Sequence, residues 1–177
     1  MEPDRARIEE LFRKLGEKLA SPTSLCIFGG TPAVLMGQPA RQTQGVDVWF
    51  TQSVYDSGDL SRACALAGVL YDPMGELDPD AVYLQIVRPG IVALPNTFDT
   101  EVIGRWGNLT VVMPTPSLLS AAKLVRGSEN DVNDIVWWVQ HRKIEMQQIE
   151  GAIRSMPDPR HRETARENLI FVKLVFS

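Results

Sequence analysis

Cysteine is scarce here. The two cysteines, Cys26 and Cys64, lie far apart, each in an apolar context. A disulfide framework needs more of them, and no pair has metal-ligand spacing, so both read as buried thiols of a reducing cytosol. The two histidines, His141 and His161, support neither a Ser/His/Asp arrangement nor a zinc set. Positive charge is also short, with 18 Lys and Arg against 22 Asp and Glu, a net charge of -4. General nucleic-acid binders are basic, so strong general DNA binding is not expected, although a local patch can hide inside an acidic total. The longest uncharged stretch, Trp106 to Ala122, is broken by Pro114 and Pro116. It reads as strand, turn and helix start, so no membrane span is expected. The opening Met-Glu-Pro-Asp-Arg is acidic with no apolar run, so no secretory signal is expected, and the expected location is cytoplasmic.

What is present is ordinary globular composition, 44% apolar and 23% charged over 177 residues. Ile8, Leu11, Phe12, Leu15 and Leu19 recur at helical spacing and predict an amphipathic helix over 4–20. Residues 24–28 form a short apolar run ended by Gly29-Gly30, a buried strand. Thr31-Pro32 then reads as N-cap and first helical residue of a helix over about 32–37. Residues 46–50 predict a strand with an acid inside it, and 58–68 a helix. Two hairpins are expected, one about Arg88-Pro89-Gly90 joining 81–87 to 91–94, the other about Trp106-Gly107-Asn108. From Pro116 onward the pattern is helical, over 116–126, 129–141, 145–155 and about 159–175. The predicted class is α+β, a mixed sheet with flanking helices in residues 1–115. A C-terminal helical bundle, 116–177, is expected to pack on it as one compact unit.

The informative stretch is 24–50. A glycine pair between strand and helix lets a backbone approach a ligand closely, and the N–H groups that follow favour a phosphate. The same pair also serves an unliganded tight turn. Asp47 lies in an apolar strand, sharing one face with positions 45 and 49. It is either a metal ligand at a cleft or an acid paired with Arg41 or solvent.

The run from Leu25 through Gly29-Gly30-Thr31-Pro32-Ala33, followed by Arg41-Gln42-Thr43-Gln44-Gly45-Val46-Asp47-Val48, resembles the signature of small bacterial nucleotidyltransferase-fold proteins. These belong to the DNA polymerase beta-like superfamily and include relatives of abortive-infection and toxin–antitoxin nucleotidyltransferases. A second block is similar too: Asn108-Leu109-Thr110-Val111, Pro116-Ser117-Leu118, Ala122-Lys123-Leu124-Val125-Arg126-Gly127, then Glu129, Asp131 and Asp134-Ile135. Together the blocks span about residues 5 to 155.

The resemblance implies a nucleotidyltransferase-like sheet and a nucleoside triphosphate bound with Mg²⁺. Asp47 would be the catalytic, metal-holding acid. Gly29, Gly30, Thr31, Arg41, Thr43, Lys123 and Arg126 would meet the nucleotide. Family chemistry uses two metal ions clamped by acids at i and i+2 of one strand and a third from a neighbour. Here Gly45 stands at the first acid position, and the strand at Val82–Val87 offers Gln85; Asp80 and Asp99 lie outside strands in this reading. The implied function is therefore nucleotide binding with weak or lost nucleotidyl transfer, RNA or protein being the acceptor. The alternative is an inactive interaction module, a subunit or neutralising partner in a toxin–antitoxin-like system.

Lys123 and Arg126 share a helix face as i, i+3 neighbours, either toward the cleft or as a helix C-terminus. Asp131 and Asp134 have the same spacing and suit ion pairs with them. Trp137 and Trp138 point about 100° apart, so one packs inward on the sheet domain and the other marks a partner surface. The tail from Arg154 onward has five basic and three acidic side chains, a solvated face or an RNA contact.

Overall fold

The computed structural model describes residues 3–177. The chain divides into two compact units, Met1–Arg88 with Thr100–Met113, and Pro89–Asp99 with Pro114–Ser177. The segment 89–99 thus belongs with the helices, not with the sheet as the composition suggests.

The first unit holds α1 (Pro3–Lys18), β1 (Thr23–Phe28), α2 (Thr31–Leu35), β2 (Gly45–Trp49), α3 (Ser57–Ala67), β3 (Leu70–Tyr71), β4 (Tyr83–Val87) and β5 (Thr100–Trp106). With β6 (Leu109–Pro114) these strands form one mixed six-stranded sheet in the order β3-β4-β2-β1-β6-β5. The helical row of α1 is buried as its spacing predicts, Ile8, Phe12 and Leu15 completely. Val46, Val48, Leu84, Leu25 and Ile27 form a buried apolar sheet face. Position 47 points the other way because strand side chains alternate.

Two local expectations are corrected. The hairpin about Arg88-Pro89-Gly90 does not form. β4 already lies between β3 and β2, so neither edge is open to residues 91–94, and Pro89 and Pro95 remove ladder donors on both sides. Residues 91–93 bend instead and bury Ala93 and Leu94. Thr31 is not the N-cap of α2, a position held by Gly30. Its hydroxyl donates to the Gly45 carbonyl at 2.9 Å. The second hairpin forms on Gly107-Asn108, with Gly107 at φ +55° where a Cβ would strike the Gly16 backbone.

The second unit holds α4 (Pro116–Arg126), α5 (Glu129–His141), α6 (Met146–Arg154) and α7 (Pro159–Val175). Each start has a local reason. Thr115 caps α4, with Pro116 at its first turn. Ser128 and Asp131 form a capping box on α5, and Asp158 caps α7. Gly127, at φ +63°, ends α4 in the left-handed region. Trp138 is fully buried, while Trp137 stacks on His141 with ring centroids 4.5 Å apart. Cys26 and Cys64 are buried free thiols, and burial pushes both up to about 12. Among the described residues, no helix is long and apolar enough to cross a membrane.

Candidate functional site

The first unit brings the glycine turn and the acidic strand together. Antiparallel pairing of β1 with β2 sets Phe28 opposite Asp47, so the turn at Gly29 begins beside that carboxylate. Gly29 sits at φ +73°, and a Cβ there would stand 2.8 Å from Asp47 Oδ2. Glycine is therefore required both by backbone conformation and by the close approach of the acid. A Cβ on Gly30 would stand 3.4 Å from an Arg41 guanidinium nitrogen and 3.8 Å from the Thr43 hydroxyl. Gly29, Gly30, Arg41, Thr43 and Asp47 thus surround one turn.

The loop that carries Arg41 and Thr43 is anchored to α1. Asp4 accepts from the Thr43 N–H at 3.0 Å, and Arg7 donates to the Thr43 carbonyl. Thr43 in turn donates its hydroxyl to the Gly45 carbonyl at 2.8 Å, the same oxygen that Thr31 reaches. A hydroxyl has one hydrogen to give, and a phosphate oxygen only accepts. The two threonines therefore fix the entry to β2, an architectural role in place of the phosphate contact that the resemblance implies for them.

Burial pushes the Asp47 carboxyl above the usual carboxylate range. An acid with a raised value is more stable in its fold when protonated. Its folded state holds the proton more tightly, so the favourable contribution is present at low pH and fades as pH rises past the ordinary carboxylate value. Asp47→Asn is thus expected to stabilise the protein by about 1 kcal/mol at pH 7 and to leave it unchanged near pH 3. Urea unfolding at the two pH values checks this.

Strand register sets the neighbours of Asp47. Parallel pairing of β2 with β4 sets Gln85 opposite Asp47 and Tyr83 opposite Gly45. The Tyr83 ring covers Gly45, and a Cβ there would meet ring carbons at 2.5–2.6 Å. An aromatic ring fills the space that a side chain at position 45 would take. Burial, and then the charge of Asp47, raise the Tyr83 phenol. Sequence reasoning did not single out Tyr83. A glycine inside a strand signals close approach of a neighbour, but only the register names which one. Asp80 sits in a turn and Asp99 precedes β5, both outside strands as expected.

Among the described residues, no group of three or more His, Cys, Asp and Glu side chains could hold a metal ion. Asp47 is the residue that could hold a Mg²⁺, and a ligand's own oxygens would have to complete the shell. This donor set does not suit a two-metal clamp.

Lys123 and Arg126 lie in the second unit and are committed there. Lys123 is buried, with Nζ 3.0 Å from Asp134 and 3.8 Å from Asp131. Arg126 grips Asp131 with two hydrogen bonds of 2.6 and 2.7 Å. These pairs join the end of α4 to the start of α5, and they occupy the cationic heads that the resemblance assigns to a nucleotide. Compared with family models, with curated proteins and with solved structures, the chain matches none.

Proposed function

We propose that the turn at Gly29-Gly30, with Arg41 and Asp47, binds a nucleoside triphosphate, and that the protein transfers its nucleotide weakly or not at all. The observation that carries this reading is the convergence on one turn of a guanidinium, a carboxylate and two glycines whose missing side chains let those groups close on the backbone. Helix α2 has five residues, so its dipole adds little, and Arg41 supplies the charge that a triphosphate needs. Tyr83 over Gly45 and Gln85 opposite Asp47 support the loss of transfer, because catalysis would need carboxylates in both places. The same two residues favour a second reading, an inactive interaction module on this fold.

Calorimetric titration with ATP, GTP, CTP and UTP, each with excess Mg²⁺, separates the readings. Binding in the micromolar range, about -8 kcal/mol, is expected for at least one nucleotide. Arg41→Ala should weaken it about tenfold, the loss of one charge-assisted contact. No heat with any nucleotide from the folded protein would leave the second reading.

A further inference from the structure

Strand side chains alternate, so Asp47, Tyr83 and Gln85 share the sheet face opposite the apolar one with Gly45, and Leu70 joins them through the pairing of β3 with β4. Farther along that face Phe28, Trp49 and Val87 are buried. Beside the glycine turn the face opens: Leu70 is 47% exposed, Gln85 is exposed, and Tyr83 and Asp47 are half-buried. The Tyr83 ring has a definite attitude there. Its carbons Cγ, Cδ2 and Cε2 stand 2.6, 2.6 and 2.5 Å from where a Gly45 Cβ would be. Near-equal distances to three atoms of one hexagon place that point close to the ring axis, so the ring lies face down on Gly45. Its other face turns away from the strand. Bare glycine at position 45 is what lets the ring lie flat.

We propose that the outer face of the Tyr83 ring stacks the base of the bound nucleotide, with Leu70 beside it and the Gln85 amide at its polar edge. The inference rests on the nucleotide reading above and names what the glycine turn leaves open: the ligand carries a heteroaromatic ring and is no bare polyphosphate. Gly45, under the ring, lies two residues from Asp47, about 7 Å along the strand. Asp47 in turn stands against Gly29. A ribose therefore spans the gap from phosphates at the turn to a base on the ring. Stacking on an aromatic face favours any base, and covering Leu70 adds apolar burial. Tyr83, Leu70 and Gln85 carry no charge, so a further phosphate finds no cation among them. A side-chain amide presents a donor and an acceptor together, so it distinguishes bases by the order of donors and acceptors on the edge they turn toward it.

The test titrates the full chain calorimetrically with ATP, GTP, CTP and UTP and with inorganic tripolyphosphate, each with excess Mg²⁺. At least one nucleotide should bind about tenfold more tightly than tripolyphosphate, the scale of one stacked base. Tyr83→Leu should bring that ratio close to one, whereas Tyr83→Phe, which keeps the ring, should preserve it. Gln85→Leu should narrow the spread among the four nucleotides by about fivefold, the low end of one bidentate pair. Gln85 is exposed, so this variant folds whatever becomes of Tyr83→Leu. Equal affinity of the wild type for nucleotides and tripolyphosphate overturns the inference and leaves the phosphate site standing. So does a ratio that survives Tyr83→Leu, or a spread that survives Gln85→Leu. Binding of neither nucleotides nor tripolyphosphate overturns the proposed site itself, and this inference with it.

Discussion

Lys123→Met is expected to destabilise the protein by about 3–5 kcal/mol. Asp134 is 1% exposed and its carboxylate lies 3.0 Å from Lys123 Nζ. Methionine fills much the same volume but leaves that carboxylate buried without its cation. The loss therefore measures the removal of an ammonium from beside a buried carboxylate more than a missing packing contact. Lys123→Met combined with Asp134→Leu should recover most of it, because a buried ion pair exchanged for apolar groups of similar size is close to neutral. Urea denaturation of the single and double variants decides this. A double variant as unstable as the single one would mean that the packing of the lysine stem, not the charge, holds the helices.

The same cluster sets the acid limit of the fold. Burial alone would raise Asp131, yet Arg126, Ser128 and Lys123 together hold it down to about 2. A depressed carboxyl contributes stability above its unfolded value, and that contribution is lost as pH falls through the folded one. About 2 kcal/mol should disappear between pH 4 and pH 2. Asp131→Asn should flatten that part of the stability curve.

Gly45→Ala is expected to lose about 2 kcal/mol, the scale of a forced overpacking, and Gly45→Asp at least as much. The reason is the Tyr83 ring, which stands 2.5–2.6 Å from where a Cβ would be. Gly45 does not need a positive φ, so the backbone itself would accept a side chain. In a Tyr83→Ala background the cost of Gly45→Ala should nearly vanish. A double-mutant cycle in urea isolates that coupling. An undiminished cost would place the strain in the backbone. A carboxylate at position 45 would meet the same ring, so it fits only once the ring has left.

Local chemistry was strong enough to make the helices legible. Helices α4, α5 and α7 begin and end within a residue or two of the limits set by Pro116, Gly127, Ser128 and Pro159. Caps and proline act within one turn and need no partner. Strand β1 was legible from its apolar run and β2 from the same pattern with Asp47 inside it. The two-residue strand β3 was not, since so short a segment has no period to read and exists only as an edge laid on β4.

The sequence by itself determined a mixed sheet, a helical bundle, a glycine turn and one acid in an apolar strand. Propensity, caps and spacing are properties of neighbours along the chain, and these features depend on little else. Tertiary structure decided the meaning of each. It set Gln85 opposite Asp47, laid Tyr83 over Gly45 and turned both threonine hydroxyls onto one carbonyl. It also buried Lys123 against two aspartates. Those outcomes depend on strand register and helix packing, which bring together residues tens of positions apart through the burial of the whole core.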